Sequence, residues 1–326
     1  MNSQPKVFIT RALPQEAMDK LKTECKLEVN THNRALTRAE LEEGIQNVDA
    51  VISLLTDNID AELLDLNPDL QVIANYAVGY DNIDVEACTE RGIKVSNTPG
   101  VLTETTADLT WALLMAVARR VVEADKFTRS GKYESWGPML MLGSDVYGKR
   151  LGIIGLGRIG KAVARRAAGF NMDVIYYNRS RKEEFAAEQG IEFRNFESLL
   201  VESDFISINT PLTPETKRMI GEREFKKMKN SAYIINTSRG AVIDEKALLH
   251  ALRTGEIAGA GIDVYEDEPK LTPGLAEQDN LVMLPHIGSA SIETRTKMGV
   301  IAAENILAGL KNENMPDIVN PEVQQK

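Results

Sequence analysis

Cysteine is scarce in this chain. Its 326 residues include two, Cys25 and Cys88, far apart and without the close spacing of metal ligands. A disulfide-stapled fold and a structural zinc site are therefore excluded, and the pair reads as free thiols in a reducing compartment. No block of basic residues offsets the formal charge of −10, so a nucleic acid is not an expected partner. The longest apolar stretch, Leu109 to Ala118, falls short of the roughly 20 residues that span a bilayer. Met1 to Phe8 has no apolar core behind a basic flank, so it does not read as a signal peptide. The expectation is a soluble cytoplasmic protein with no membrane contact. Low-complexity tracts and short internal repeats are also missing.

The chain exceeds the usual size of one domain, roughly 100–200 residues, so two are expected. Short β-branched runs alternate with helical patterns. Lys6–Thr10, Ala50–Leu54, Val72–Tyr76 and Ile93–Asn97 read as strands, with helices over Pro14–Cys25 and Thr37–Gln46 between them. A second series comprises Leu151–Gly155, Asp173–Tyr177, Asp204–Ile208, Ala232–Asn236, Ala260–Asp263 and Leu281–Leu284. This alternation predicts an α/β protein with two doubly wound parallel sheets, each covered on both faces. Thr103–Arg120 is a helix too apolar for one buried face, packed between domains or against a second subunit. Ser291–Leu310 is a helix long enough to return to the first sheet, which would leave the N-terminal domain discontinuous.

Gly155-Leu156-Gly157-Arg158-Ile159-Gly160 follows an apolar strand and opens a helix rich in small residues. A lone G-x-G-x-x-G run is weak evidence, but this context is what a dinucleotide site requires. The glycines allow the turn, the approach of pyrophosphate and close helix–strand packing. The helix N-terminus offers free N–H groups to phosphate. At the end of the next strand an NAD site usually carries a carboxylate for the ribose 2′-hydroxyl. Here the residues are Asn178, Arg179, Ser180, Arg181 and Lys182. They remove repulsion and supply donors for a 2′-phosphate, so NADP(H) is the expected cofactor with NAD(H) possible. A solvated basic loop is the competing reading.

Of the three histidines, His32 and His250 read as surface residues. His286 follows an apolar strand, where open α/β sheets place their ligands. Arg239 and Glu268 also lie just beyond strands. Arg239 could hold a carboxylate in two-point fashion or join a surface ion pair. Glu268 could back the second nitrogen of the imidazole or belong to a solvated acidic turn. Together they fit reduction of a small 2-keto acid: Arg239 anchors the carboxylate, His286 donates a proton, and Glu268 fixes the imidazole.

These residues, with Ala77–Asp84, Pro211–Thr216, Asn236–Gly240, Gly261–Pro269 and Pro285–Ala290, resemble the D-isomer-specific 2-hydroxyacid dehydrogenase family over nearly the whole chain. Within it, the chain looks like the glyoxylate/hydroxypyruvate reductases, including 2-ketogluconate reductases. The resemblance implies that Arg239, Glu268 and His286 are the catalytic set. It also implies a Rossmann NADP-binding domain, residues 100–289, inserted into a flavodoxin-like substrate domain of residues 1–99 and 290–326. The active site would lie in the cleft, and the enzyme would be a homodimer. Leu156, Gly157, Arg158 and Ile159 would meet the pyrophosphate, and Arg179, Ser180 and Arg181 the 2′-phosphate. Thr210, Thr237, Ser238, Asp263 and Gly288 would border the ribose and nicotinamide. Leu54, Val78, Gly79 and Trp136 join Arg239 and His286 as implied substrate contacts, with Trp136 reaching from a neighbouring subunit. No metal is implied. The chain departs from NAD-type members at Asn178, where the acidic residue is missing. A dinucleotide-sensing, non-catalytic protein of the same fold is the competing function.

Overall fold

The structure, a computed structural model, describes residues 4–325. Residues 1–3 and 326, the outer ends of the expected substrate domain, lie outside the described residues. The chain divides into two compact units, one of residues 1–102 with 289–326 and one of residues 103–288.

The first unit begins with strands β1 (Lys6–Ile9), β2 (Lys26–Val29), β3 (Ala50–Ser53), β4 (Val72–Asn75) and β5 (Lys94–Ser96), interleaved with helices α1 (Gln15–Lys22), α2 (Arg38–Ile45), α3 (Ala61–Leu64) and α4 (Val85–Glu90). All pairings are parallel, in the order β2-β1-β3-β4-β5. Successive residues of a strand point to opposite faces. Val7, Ile9 and Ile52 thus enter one apolar layer, and Phe8 and Val51 enter the other. The caps are local: Thr37 and Glu40 form a reciprocal capping box at α2, satisfying N–H groups that a helix start leaves unpaired.

The second unit carries α5 (Thr103–Ala118), α6 (Val121–Arg129), β6 (Arg150–Ile154), α7 (Arg158–Ala167), β7 (Asp173–Tyr177), α8 (Glu183–Gln189), β8 (Glu192–Phe193), α9 (Phe196–Glu202), β9 (Phe205–Ile208), α10 (Glu222–Phe225), β10 (Tyr233–Asn236), α11 (Glu245–Thr254), β11 (Gly259–Ile262) and β12 (Leu281–Met283). Its seven strands are parallel in the order β12-β11-β10-β9-β6-β7-β8. The direction of winding reverses between β6 and β9, the place where doubly wound sheets open a crevice for ligands. Ile153 and Ile154 feed the two opposite cores of this sheet.

Helix α5 packs against α7 and β10–β12 of its own unit. Trp111 stacks on Phe170 with ring centroids 4.7 Å apart, and its indole N–H donates to the Val163 carbonyl at 3.1 Å. Much of the apolar excess of this helix is therefore consumed inside the larger unit. Chain from residue 289 onward returns to the first unit, where α12 (Ile292–Leu310), capped by Ser291, packs against α1, β3, β4 and β5. Both cysteines are free and buried. Among the described residues no helix is long and apolar enough to cross a membrane, and no three or more His, Cys, Asp or Glu side chains cluster as metal ligands would.

Candidate active site

The glycine run leaves β6 at the reversal of winding. Gly155 has φ +94°, and a β-carbon there would stand 2.7 Å from the Asn209 carbonyl oxygen at the end of β9. Only glycine accepts both the backbone angle and the approach. Nothing lies within 4 Å of where a Gly157 β-carbon would be, so space remains in front of the first turn of α7. Arg158 and Ile159 begin that turn, exposed and half-buried respectively. The Leu156 side chain is buried in the core, and its N–H donates to Asn178 Oδ1 at 3.1 Å. Asn178 Nδ2 in turn donates to the Ser180 carbonyl at 2.8 Å. The neutral amide thus ties the glycine turn to the basic loop. Arg179 and Ser180 are exposed, and Arg181 lies over the Phe193 ring at 4.6 Å.

The candidate catalytic groups Arg239, Glu268 and His286 come from the ends of β10, β11 and β12. After β10, the buried Asn236 side chain accepts from the Ser238 N–H at 3.0 Å and the Ser238 hydroxyl at 2.8 Å, and donates to the Arg239 carbonyl at 2.9 Å. Such local bonding by asparagine fixes a turn, here the one carrying Arg239. Thr237 pairs with Thr110 of α5 at 2.8 Å, and Thr106 of α5 donates to the Gly288 carbonyl at 3.1 Å.

His286 follows β12 in the left-handed region, φ +54°, a conformation rarely held outside functional sites or tight turns. Three contacts from the loop after β11 hold it there. The Tyr265 hydroxyl donates to the Leu284 carbonyl at 2.7 Å, and the Ile287 N–H donates to Asp263 Oδ1 at 2.7 Å. Between them, His286 Nδ1 and Glu268 Oε2 are 2.8 Å apart. The other Glu268 oxygen accepts the Tyr265 N–H at 2.9 Å.

Burial pushes the Glu268 carboxyl up, but the His286 hydrogen bond and charge, the Tyr265 N–H and the Arg239 charge together hold it below the usual glutamate range. The charge of Arg239 therefore acts on the same carboxylate that pairs with His286. Asp263 differs: it is 1% exposed, and burial raises its carboxyl against the opposing Ile287 N–H and His286 charge. Burial, with the charges of Asp263, Glu268 and Glu245, raises the Tyr265 phenol to about 12, so it stays a hydrogen-bond donor at neutral pH.

The larger unit brings Arg239, Glu268, His286 and Asp263 together. His32 and His250 are exposed. Trp136 is 79% exposed on the same unit, in a segment that also exposes Met139 and Leu142. Leu54, Val78 and Gly79 are half-buried at strand ends of the smaller unit. There Asn97 donates to the Val78 carbonyl at 2.7 Å and Asn75 to the Gly79 carbonyl at 2.8 Å. The N–H groups of Val78 and Gly79 have no acceptor among the described residues. The roles of Asn236 as a turn-former and Tyr265 as a brace are not apparent from the sequence, although an asparagine at a strand end is a usable signal for the first.

The residues fit a dinucleotide. Buried oxygens of Asn209, Thr210 and Asp263 lack hydrogen-bond partners among the described residues, and all three follow β9 or β11. Unpaired buried acceptors of this kind call for a polar ligand. A doubly wound sheet with a glycine turn at its switch point, and an arginine beside a carboxylate-backed imidazole, defines an oxidoreductase that uses a nicotinamide dinucleotide.

The comparisons with known proteins agree. A family model described as "D-isomer specific 2-hydroxyacid dehydrogenase, NAD binding domain" matches residues 111–288. A glyoxylate reductase of Korarchaeum cryptofilum is 52% identical over 322 residues, 98% of this chain and 97% of that protein. A solved protein of Thermus thermophilus superposes with a TM-score of 0.91 at 46% identity, covering 96% of this chain and 99% of that one. An NADPH-dependent glyoxylate/hydroxypyruvate reductase of Sinorhizobium meliloti, solved with NADP and malonate, gives 0.85 at 29% identity, covering 97% of each chain. The chain belongs to the D-isomer-specific 2-hydroxyacid dehydrogenase family, in its glyoxylate reductase branch. It is an oxidoreductase acting on CH–OH groups, with a small keto or hydroxy acid as substrate.

Proposed function

We propose that this protein reduces a small 2-keto acid using NADPH in preference to NADH: glyoxylate to glycolate, or hydroxypyruvate or 2-ketogluconate to the D-2-hydroxy acid. The observation that carries the reading is the 2.8 Å contact between His286 and Glu268, on a carboxylate that also feels the Arg239 charge. Relatives about half identical to this chain are named glyoxylate reductases, which favours glyoxylate as the first substrate.

Arg239 binds the substrate carboxylate through its planar fork and so sets where the carbonyl lies. A bound nicotinamide would supply a hydride to the substrate carbonyl. His286 donates a proton from Nε2 to the oxygen that gains charge. Glu268, accepting at Nδ1, fixes the tautomer that leaves Nε2 facing the substrate. Fixed orientation of the carboxylate and the proton donor removes several kcal/mol of barrier. Asp263 Oδ2, a buried oxygen with no hydrogen-bond partner of good geometry among the described residues and close to Gly288, would suit a carboxamide N–H, and Thr210, Thr237, Ser238 and Gly288 are assigned to the ribose and nicotinamide. Leu156, Gly157, Arg158 and Ile159, at the glycine turn and the first turn of α7, would hold the pyrophosphate.

The preference for NADPH rests on Asn178, which places no negative charge at the ribose, and on the exposed Arg179, Ser180 and Arg181 beside it. In the smaller unit, Leu54 and the unpaired N–H groups of Val78 and Gly79 are assigned to the substrate. A second copy of the chain covers the exposed apolar segment around Trp136. The direct test is a steady-state comparison of the three keto acids with NADPH and NADH. Glyoxylate with NADPH should give the highest kcat/KM; no turnover of any keto acid would favour a dinucleotide-sensing protein instead.

A further inference from the structure

Glu245 is the first residue of α11, a position where a glutamate normally faces water and complements the positive end of the helix. Here it is 3% exposed. A buried carboxylate is unfavourable unless its oxygens are hydrogen-bonded, and both are. Oε1 accepts the Glu266 N–H at 2.7 Å and Oε2 accepts the Thr272 hydroxyl at 2.6 Å. Both donors belong to the loop after β11, and they bracket Glu268. The Glu266 side chain turns away to pair with Arg218 at 2.6 Å, so the grip of Glu245 on this residue is on its backbone. Within the bracket, Glu268 meets the Tyr265 N–H with one oxygen and His286 with the other.

We propose that Glu245 is a positioning residue for the reaction: its buried carboxylate holds the Glu266–Thr272 loop in the shape that presents Glu268 to His286. The inference rests on the reading above, that Glu268 and His286 act in proton transfer. Glu245 itself touches none of the reacting groups. Its two hydrogen bonds fix the loop ends, and Glu268 can then offer one oxygen to each partner without searching for the geometry. Four ionisable groups surround that carboxylate, His286, Arg239, Asp263 and Tyr265, so a displaced loop changes its titration.

The test compares Glu245→Ala, Glu245→Gln and Thr272→Val in the full chain, with Glu268→Gln alongside. The measurements are kcat and KM for glyoxylate across pH and the Kd of NADPH by fluorescence titration. Glu245→Ala should lower kcat about tenfold or more, because small misplacement of a catalytic group is expensive in rate. Its acidic limb in kcat/KM should move to higher pH as Glu268 loses its ordered partners, while the NADPH Kd changes less than about twofold. Glutamine can accept the Glu266 N–H and donate to the Thr272 hydroxyl, so Glu245→Gln should recover most of the rate. If Glu245→Ala does not fold, Thr272→Val, which removes one hydrogen bond of about 1 kcal/mol, should still lower kcat about fivefold with the same shift of the limb. A folded Glu245→Ala or Thr272→Val with wild-type kcat and pH profile, even with a lower Tm, would overturn the proposal alone. Full activity of Glu268→Gln would overturn both this proposal and the catalytic reading beneath it.

Discussion

Gly240 lies against the backbone of Tyr265 so closely that a β-carbon at position 240 would stand 1.8 Å from the Tyr265 carbonyl carbon. The contact joins the loop carrying Arg239 to the loop carrying Glu268, backbone to backbone, where no side-chain rotation can relieve a clash. Gly240→Ala should therefore part the two loops. We expect destabilisation of about 1–3 kcal/mol from overpacking and a loss of activity of about a hundredfold, since reactive groups tolerate little displacement. Thermal melts and steady-state kinetics of the purified variant check both.

Glu268 also makes a prediction about acid stability. Its carboxyl is held below the usual range in the folded state, so its contribution is present above the unfolded value, about pH 4.3. That contribution is lost as pH falls through the lower folded value. The Tm advantage of wild type over Glu268→Gln should be constant at neutral pH and shrink below the ordinary glutamate range. An advantage that grows with acidity would contradict the assigned direction.

Asp263 has the opposite sign. Burial raises its carboxyl, so ionisation opposes folding as pH rises from the unfolded value through the folded one. Asp263→Asn keeps an acceptor for the Ile287 N–H, and should raise Tm at neutral pH while leaving it unchanged in acid. The same change puts a donor where a buried acceptor stood, and should weaken nicotinamide dinucleotide binding about tenfold or more. Melting curves across pH with cofactor titrations separate the two effects.

Cofactor choice is tested at Asn178. Its Oδ1 accepts the Leu156 N–H, and an aspartate would keep that bond while adding a negative charge. Asn178→Asp should weaken NADPH by about tenfold relative to NADH. Arg179→Ala with Arg181→Ala should weaken NADPH far more than NADH. Equal losses for the two cofactors, read from their KM values, would reject the phosphate assignment.

The large elements were legible because buried parallel strands are near-continuous apolar runs, as in residues 174–177. The edge strand β2 was not, since Lys26 and Glu28 alternate with half-buried residues, and β8 is two residues long. The apolar excess of α5 points to contact with another domain or subunit, and part of it is used inside its own unit, where Trp111 stacks on Phe170. Arg239, Glu268 and His286 stood out because strand ends carry ligands in this architecture. Glu245 could not, because a glutamate in the first turn of a helix reads as solvated and only the fold reveals its burial.

In the proposed reduction the proton comes from a carboxylate-backed imidazole. The most direct measurement is the rate of NADPH oxidation by saturating glyoxylate at neutral pH in His286→Ala, with NADPH binding confirmed by fluorescence. A fall of about a hundredfold or more, the usual contribution of a positioned general acid, with binding retained is the predicted result. A folded, NADPH-binding variant within about threefold of wild type would contradict it.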